Sequence, residues 1–431
     1  MIDYRNKAAE YLLDMLIFEK QGKDLELSFT AECDKACYYC YLKQFGDKLY
    51  PRVDDDIIVE NLQLFLKHAS YKNYIFNRID LFTGEFFNLP YWRTVLDILL
   101  ESDFKNYTSI TIPTNFSFVD KGLTDEVCLY KKKFKDIGKS LLLSCSIDGT
   151  DDFETRPNKD KTHSNIPKIV EAIDMLQAGM HPMISPIFCK NYKKNIDFWI
   201  EVAKRFDRMP MFLEVRNDFW DSVALDNLEQ SMLYLADKMF NEVLNKDINL
   251  FTKSFFSLDN YTRKYNCFLL RFPTQLQRIS CAFQSTISVR VPDLMLIPCH
   301  RLGYPELNYA QFIKEDNHLK LESKNLDFQI SATTMNPSSF LPRCANCDIR
   351  MFCIKGCLGA QYEVTKDPFM PIDSVCNFEK RKYSVLHKIA NMYGLYDCFF
   401  NDPTISPEQE ANVRYVITIL NKLVEDEKFG K

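Results

Sequence analysis

Three cysteines in the pattern Cys33-x3-Cys37-x2-Cys40 constrain this chain more than any other feature of its sequence. They follow a short apolar segment, residues 25–30, which we predict to be a strand. Three thiolates this close in sequence can converge on one metal centre, and they leave the fourth iron of a cubane cluster without a protein ligand. Ordinary cluster carriers supply four cysteines, and zinc sites usually pair C-x2-C with a second pair or with histidines. The motif therefore indicates a cluster with an open iron that can bind another molecule.

The setting of these cysteines supports a metal centre. Glu32, Asp34 and Lys35 make the loop polar, which argues against three buried structural thiols. The chain has 15 cysteines, and its first residues lack the apolar core of a signal peptide. Clustered C-x2-C spacings without a secretion signal favour metal thiolates over disulfides. We expect a cytoplasmic protein with an oxygen-sensitive cluster.

Composition narrows the possible functions. The 431 residues are enough for two or three domains with real cores. The net charge of −5 gives no sequence-wide basic field that would point to nucleic acid. No apolar run approaches the ~18 residues that a membrane span needs. We therefore expect neither nucleic acid nor a membrane as a partner.

The first part of the chain alternates predicted strands and helices, which is typical of a parallel α/β sheet. The predicted strands are residues 25–30, 78–83, 108–114, 140–147, 182–188 and 212–216. The predicted helices between them are residues 54–70, 91–102, 125–138, 165–178 and 196–206. A longer helix is predicted over residues 225–245, and a short one over residues 7–18. From about residue 267 the pattern changes to short strands, loops and cysteines, and residues 407–431 read as a charged surface helix.

The spacing of the first three cysteines, with Tyr39 before the last, resembles the signature of the radical S-adenosylmethionine (SAM) enzymes. The resemblance implies a 4Fe–4S cluster on Cys33, Cys37 and Cys40 that binds SAM. It also implies a partial (β/α)6 TIM-like barrel, with functional residues at the carboxyl ends of its strands.

The candidate SAM-binding residues follow predicted strands two to four. Gly84-Glu85 resembles the Gly-Gly-Glu motif that holds the SAM amino group in this family, although Thr83 replaces the first glycine. Asn115 lies where relatives contact the nucleoside. Ser146 and Asp148 resemble a Ser-x-Asp-Gly element of the peptide-modifying branch. Arg156 matches an arginine that meets the SAM carboxylate, which it can do through two charge-assisted hydrogen bonds. Tyr39 completes this set.

A second motif, Cys344-x2-Cys347-x5-Cys353-x3-Cys357, is followed by Cys376. With Cys281 and Cys299 upstream, flanking a hairpin predicted near residues 290–293, it resembles the SPASM domain of radical SAM enzymes that act on peptides and proteins. The resemblance implies two auxiliary 4Fe–4S clusters, so that the chain would hold three in all. A zinc ribbon is the alternative for these residues alone.

Taken together, these patterns divide the chain into five expected parts. They are an N-terminal helix (1–24), the barrel (25–220), a helical linker (221–266), the SPASM domain (267–385) and a helical tail (386–431).

By analogy with the family, the seven cysteines fall into two ligand sets. The distal cluster would be held by Cys344, Cys347, Cys353 and Cys376. The nearer one would be held by Cys281, Cys299 and Cys357, and its fourth ligand is open. Cys267 is the closest spare cysteine in sequence. The glycine that relatives carry five residues before Cys299 is Leu294 here, which suggests a different hairpin.

Candidate acid–base residues are less defined. Sulfatase-maturing relatives carry an aspartate after the cysteine equivalent to Cys299, and this chain has His300. A histidine can also take up a proton near neutral pH, or it can donate a hydrogen bond to cluster sulfur. Asp218 and Tyr304 are further polar candidates for the same cavity.

The resemblance implies that a 5′-deoxyadenosyl radical removes a hydrogen atom from the substrate. We predict a maturase of ribosomally made peptides that forms an oxidative side-chain crosslink (carbon–carbon, thioether or ether). The alternatives are a sulfatase-type maturase that makes formylglycine, which His300 disfavours, and a dehydrogenase or epimerase of a small molecule. A non-catalytic adaptor with clusters is a further alternative, but it would leave the first cysteine motif without a function.

Expected partners are the peptide and an electron donor such as flavodoxin or ferredoxin. Since only about 24 residues precede the first predicted strand, leader recognition would fall to a separate protein or to direct binding.

Overall fold

The structure is a computed structural model that describes residues 23–44, 50–82, 84–117, 119–150, 152–258, 264–276, 286–316, 318–325, 342–353 and 356–428. The helix predicted over residues 7–18 and the expected cluster ligand Cys281 lie outside the described residues. Within the described part, the α/β class that the sequence predicts is confirmed.

Eleven strands are described, and nine of them form one sheet in the order β11-β10-β9-β8-β1-β2-β3-β4-β5. Strands β1 to β5 pair in parallel, and β6 pairs in parallel with β7 in a separate sheet. Their bounds are β1 (Lys23–Ser28), β2 (Phe76–Asp80), β3 (Ser109–Thr114), β4 (Ser140–Cys145), β5 (Gly179–Met180), β6 (Met183–Ile184), β7 (Leu213–Glu214), β8 (Thr286–Arg290), β9 (Met295–Ile297), β10 (Ala310–Glu315) and β11 (His318–Ser323).

Strands β5 and β6 behave as one strand that is interrupted at Pro182. The N–H of His181 donates to Cys145 at the end of β4. On the other side, the N–H of Met211 donates to Met180, and the N–H of Leu213 donates to Pro182. The segment is therefore held between β4 and β7, and the six predicted parallel strands follow one another edge to edge.

Helices cover this sheet and extend into the C-terminal part. They are α1 (Asp55–Tyr71), α2 (Trp92–Glu101), α3 (Lys121–Asp136), α4 (Ile166–Leu176), α5 (Pro186–Lys190), α6 (Tyr192–Phe206), α7 (Ser222–Lys238), α8 (Ile248–Phe256), α9 (Pro342–Ala345), α10 (Leu358–Thr365), α11 (Asp373–Met392), α12 (Leu395–Phe400) and α13 (Pro407–Lys428). Most of the parallel strands alternate with helices, as the sequence predicts, and one large apolar core joins most of the described elements.

The predicted strand over residues 182–188 is partly wrong. Its second half is helix α5, because the Ser185 side chain accepts the Phe188 N–H and Pro186 occupies the first helical turn. Cys189, which follows this predicted strand directly, is therefore a buried residue of helix α5. Cys145 lies on β4, as expected, and is also buried.

The C-terminal region is tied to the same sheet. Strand β8 pairs in parallel with β1 and in antiparallel with β9, so that the sheet continues across the expected start of the SPASM region. The hairpin predicted near residues 290–293 is confirmed by the pairing of Arg290 with Met295. Leu294 in its turn has φ of +54° and is buried.

Helix α13 is less solvated than its charges suggest. Val413, Val416 and Leu420 are fully buried on one of its faces. A helical pattern of apolar positions among charges is what a helix needs when one face packs on a core. None of the helices in the described ranges is long and apolar enough to cross a membrane.

Candidate functional site

The first cysteine motif lies on the loop that leaves the carboxyl end of β1 and enters a short 3-10 helix, Tyr41–Gln44. A second segment, residues 155–159, runs beside the loop. The N–H of Ala36 donates to Pro157 (2.8 Å), and the N–H of Tyr38 donates to Thr155 (3.1 Å). The N–H of Lys159 returns a hydrogen bond to Asp34 (2.7 Å). The loop is therefore anchored along its length by backbone hydrogen bonds.

The thiols of this loop are shielded and receive hydrogen bonds. Cys37 is buried, and Cys33 and Cys40 are partly buried. The Lys35 N–H and the Asn115 side-chain amide each donate to Cys33 Sγ at 3.4 Å. Burial raises the pKa of Cys33 to about 12 and also raises the pKa of Cys37. Without a metal these two thiols are therefore protonated at neutral pH, and a bound metal would displace their protons.

The fit of these residues to a cluster rests on donor chemistry and on shared location. Cys33 and Cys40 face one cavity of about 740 Å³, and Cys37 lies between them on the same loop. Three thiols with N–H donors directed at one sulfur are a suitable ligand set for iron–sulfur chemistry. Among the residues that the structure describes, no group of three side chains is placed to bind one single metal ion.

Gly84 lies where the loop after β2 meets the cysteine loop. Its N–H donates to Thr30 (2.9 Å), and the N–H of Glu85 donates to Glu32 (2.9 Å). A Cβ atom at position 84 would lie 1.9 Å from the carbonyl oxygen of Glu32. Only glycine therefore permits this approach of the two backbones.

Glu85 turns its buried carboxylate towards the end of β3. The Thr114 hydroxyl donates to Oε1 (2.7 Å), the Asn115 N–H donates to Oε2 (2.7 Å), and the Phe87 N–H donates to Oε1 (3.3 Å). Burial raises the pKa of Glu85 to about 7 despite these donors. A buried carboxylate of this kind can be stabilised in its ionised form by an incoming ammonium group.

Asp148, Tyr39 and Arg156 form one buried group beside the cysteine loop. The Tyr39 hydroxyl donates to Asp148 Oδ2 (2.8 Å), and Arg156 Nη1 donates to the Tyr39 oxygen (3.1 Å). The Met183 N–H donates to Asp148 Oδ1 (3.1 Å). Arg156 Nε is buried and has no hydrogen-bond acceptor among the described residues. Ser146 follows β4, where its N–H donates to Thr114 (2.9 Å).

These contacts bring the predicted SAM-binding residues to the carboxyl ends of β1 to β4. Tyr39 belongs to the cysteine loop itself, and Asn115 touches both Cys33 and Glu85. Because parallel strands end at the same edge of a sheet, residues far apart in sequence meet there. Thr114 and Asn115 together resemble a Thr-Asn-Gly-like segment that relatives carry at the end of this strand, but the sequence gives no sign that the Thr114 hydroxyl holds Glu85.

Five cysteines of the second motif region line a single cavity together with Arg216, which lies just after β7. They are Cys344, Cys347, Cys353, Cys357 and Cys376. Cys299 is buried in a small apolar cluster that includes Leu358, the residue after Cys357. Cys267 is buried in the main core, where burial raises its pKa to about 12.

Arg216 belongs to a buried charged network that connects β7 with α11. Lys382 Nζ lies 2.9 Å from Glu214 Oε1 and 2.9 Å from Glu379 Oε2. Arg216 Nη2 lies 3.4 Å from Glu214 Oε2. Burial alone would lower the pKa of Arg216, but Glu214, Glu379 and Cys357 raise it above its ordinary value. The sequence gives no sign of this network, since its members come from distant segments.

His300 is held by Glu26 on β1. The His300 N–H donates to Glu26 Oε2 (3.1 Å), and His300 Nδ1 lies 2.8 Å from Oε1. The Ser288 hydroxyl also donates to this carboxylate. The imidazole stacks on Phe82, with 3.8 Å between ring centroids and 15° between planes. Burial alone would raise the pKa of Glu26, but the donors from His300 and Ser288 lower it.

The role of Glu26 as the partner of His300 was not predicted from the sequence. The available signal is a charged residue between two apolar ones, Leu25 and Leu27, inside a predicted strand. Such a residue faces the other side of the sheet from its neighbours. In a strand that is buried on both faces, a carboxylate needs partners, which His300 and Ser288 supply.

The other two candidate catalytic residues make different contacts. Asp218 Oδ2 accepts a hydrogen bond from the Tyr38 hydroxyl (2.6 Å), so that Asp218 touches the first cysteine loop. The Tyr304 ring packs against Tyr362, with 4.6 Å between ring centroids. Burial raises the pKa of Tyr304 to about 12.

No protein-family profile and no curated protein sequence matches the chain. Solved structures do. A histidine-tagged form of anSMEcpe with bound AdoMet, an anaerobic sulfatase maturase, is 14% identical with a TM-score of 0.57, and the match covers 91% of this chain and 98% of that chain. Native anSMEcpe with bound AdoMet and Kp18Cys peptide is 13% identical with a TM-score of 0.55, covering 86% and 99%.

A third structure, Streptococcus suis SuiB bound to precursor peptide SuiA, is 14% identical and covers 86% of this chain and 79% of that chain. Its TM-score of 0.47 is too low to support an argument about fold. The two anSMEcpe structures are matched over nearly their whole length. The resemblance to radical SAM enzymes with a SPASM extension, which the two cysteine motifs predict, is thus confirmed at the level of the fold.

Proposed function

We propose that the chain is a radical SAM enzyme that modifies a ribosomally made peptide. In this proposal residues 25–220 form a partial (β/α)6 barrel, residues 221–266 a linker and residues 267–385 a SPASM domain. The observation that carries the proposal is the hydrogen-bond network at the strand ends. It connects the cysteine loop to Glu85, Asn115, Asp148 and Arg156.

Cys33, Cys37 and Cys40 would hold the SAM-binding 4Fe–4S cluster. Cys344, Cys347, Cys353 and Cys376 would hold the distal auxiliary cluster, and Cys299 and Cys357 would hold the nearer one with Cys281. When bound, SAM and its cluster supply a carbon-centred radical that removes a hydrogen atom from an unactivated carbon. The auxiliary clusters suit a net oxidation, because they can accept an electron.

The protein residues would orient SAM through charge. The Glu85 carboxylate is buried beside the cysteine loop, where it can pair with the amino group of SAM. Arg156 offers a buried N–H group, at Nε, that can meet the SAM carboxylate. Ser146 and Asn115 lie at the neighbouring strand ends, where they can contact the ribose. Paired opposite charges at the two ends of one group fix its orientation.

His300 would take up the proton that leaves the substrate during oxidation. Glu26 engages Nδ1, which leaves Nε2 as the ring nitrogen that would take up this proton. The stacked Phe82 ring limits rotation of the imidazole. Asp218 and Tyr304 would shape the peptide path, since Asp218 meets the cysteine loop and Tyr304 packs on Tyr362, five residues after Cys357.

The peptide substrate is supported by the matched fold. Native anSMEcpe was solved with Kp18Cys peptide, and its fold is shared over 86% of this chain. An oxidative crosslink is our first choice of product. A sulfatase-type maturase is the second candidate function, and the same structural match favours it. The two differ in product, because formylglycine is an aldehyde and a crosslink is not.

We also propose an external one-electron donor, such as flavodoxin or ferredoxin.

The triple substitution of Cys33, Cys37 and Cys40 by alanine tests the SAM site. We expect 5′-deoxyadenosine formation to fall to background, while about eight irons stay bound because two clusters remain. Cys128→Ala with Cys398→Ala is the matched control, since neither cysteine belongs to a motif. Unchanged SAM cleavage in the triple variant would refute the assignment.

An aldehyde-reactive probe on treated Ser- or Cys-containing peptides separates the two candidate products.

A further inference from the structure

A cavity of about 530 Å³ lies at the amino-terminal ends of β5 and β7. Its described walls come from three parts of the chain. They are Gly179, Met180 and His181, then Arg208, Met209 and Met211, and finally Ser257, Leu258, Lys264, Asn266, Phe268 and Arg271. None of its described lining residues belongs to the cysteine motifs or to the candidate SAM-binding set. Its volume is in the range of small-molecule sites, which is ~300–1,000 Å³. The cavity is therefore a second place where this chain can hold a ligand.

The lining of the cavity is cationic. Arg208, Lys264 and Arg271 all contribute to it, and none of its described lining residues is an aspartate or a glutamate. Two carboxylates lie in the same region. Asp207 is engaged by Lys264 and by the Tyr265 hydroxyl (2.6 Å), and Asp174 pairs with Arg205 (3.0 Å) outside the cavity. Among the described lining residues, the charged side chains are therefore two arginines and one lysine, and Asp207 engages the lysine.

The guanidinium of Arg208 uses only part of its N–H donors in hydrogen bonds to the described residues. Its Nη2 donates to the Ala178 carbonyl (2.8 Å), and its Nε is buried without a hydrogen-bond acceptor among the described residues. A buried donor without an acceptor destabilises the folded protein, and a bound anion would remove this cost by accepting the hydrogen bond. His181, which also lines the cavity, adds no charge, because burial lowers its pKa to about 4 and leaves it neutral at pH 7.

The same cavity presents accessible apolar surface. Met211 and Phe268 line it, and they are 37% and 39% exposed. The Arg271 guanidinium lies 5.7 Å from the centroid of the Phe268 ring. Large side chains exposed beside cations are suited to a ligand that combines an apolar body with a negative group.

We propose that this cavity binds a small organic phosphate, with the phosphate on Arg208 and Arg271 and the organic part on Met211 and Phe268. A guanidinium matches a phosphate through two parallel N–H donors, which favours phosphate over a single-point anion. The site lies apart from the cysteine loops, and its occupancy does not depend on the proposed peptide chemistry.

The test is calorimetric titration of the anaerobically purified full chain with phenyl phosphate. We expect binding to the unaltered protein, at least tenfold weaker binding to Arg208→Gln and to Arg271→Gln, and unchanged binding to Lys204→Gln. Lys204 is the control, because it lies four residues before Arg208 and pairs with Glu201 and Glu242 at the surface. Phenol, which lacks the phosphate, should not bind.

Arg208→Lys provides a second variant should the Gln variant fail to fold. It keeps the charge and removes the planar fork, so that an intermediate affinity is expected. Absence of binding to the unaltered protein, or equal binding to Arg208→Gln, would overturn the site. Inorganic phosphate that binds as tightly as phenyl phosphate would overturn the organic part of the assignment.

Discussion

Gly84 occupies a point where two loops touch and no side chain fits between them. The substitution Gly84→Ala would place a Cβ 1.9 Å from the Glu32 carbonyl, so that one backbone must move. We expect SAM cleavage to fall by tenfold or more, because the loop that carries Glu85 would separate from the cysteine loop. The measurement is 5′-deoxyadenosine formation under reducing conditions.

Gly122→Ala is the control for this change. A Cβ at position 122 would meet only the Asp120 side chain, at 3.4 Å, and alanine suits the helix that Gly122 occupies. We expect activity to be retained and the free energy of unfolding to rise slightly. Equal loss of SAM cleavage in both variants would contradict the role given to the contact at Gly84.

Glu85 makes stability depend on pH in a defined window. Its pKa is raised from 4.5 to about 7 in the folded protein, so that the folded state holds the proton more tightly than the unfolded chain. Ionisation therefore costs nothing below pH ~4.5, and it lowers the free energy of unfolding progressively as the pH rises to about 7. The loss is on the order of 3 kcal/mol at most.

Chemical denaturation of the metal-free protein between pH 4.5 and pH 7 measures this effect. We expect a smaller pH slope for Glu85→Gln, and an unaltered slope for Glu101→Gln, which changes an exposed residue of α2. A slope in Glu85→Gln equal to that of the unaltered protein would show that the buried carboxyl is not the cause.

At the scale of elements, β7 and α11 are joined by the buried charges of Glu214, Lys382 and Glu379. Lys382→Met would leave the buried Glu379 without its ion-pair partner and Glu214 with Arg216 alone, and removal of one partner from a buried network costs about 3–5 kcal/mol. We expect that loss in the free energy of unfolding, and a lower iron content, because α11 also carries Cys376.

Lys388→Met on the same helix is the matched control. Lys388 pairs with Glu229 at the surface, with more than half of its side chain exposed. Exposed pairs contribute ~0–1 kcal/mol, so that only a small loss is expected. Similar losses in the two variants would argue against a structural role for the buried network.

Elements also show where sequence patterns reach their limit. The strand predicted over residues 182–188 becomes helix α5 in its second half, because Ser185 caps the helix that begins at Pro186. The apolar pattern of the segment hides this local signal. Leu294 keeps φ at +54°, in a region that favours glycine, at the position where the family resemblance implies a glycine. Its burial offsets the backbone cost, so that the hairpin turn forms without glycine.

For the whole molecule, the alternating strands and helices and the cysteine spacings were predictable because both are local patterns. The pairing of β8 with β1 was not, since it joins residues about 260 positions apart. The partnership of Glu26 with His300 follows from that pairing and was hidden for the same reason. The convergence of five cysteines on one cavity agrees with their spacing, whereas Cys281 lies outside the described residues.

Anaerobic iron and sulfide analysis of the reconstituted protein, combined with SAM turnover, tests the central claim most directly. Three 4Fe–4S clusters predict about twelve irons per chain, with matching sulfide, and 5′-deoxyadenosine after reduction. About four irons, or zinc in the second cysteine region, would contradict the SPASM assignment. Full iron content without SAM cleavage would contradict the assignment of the chain as a radical SAM enzyme.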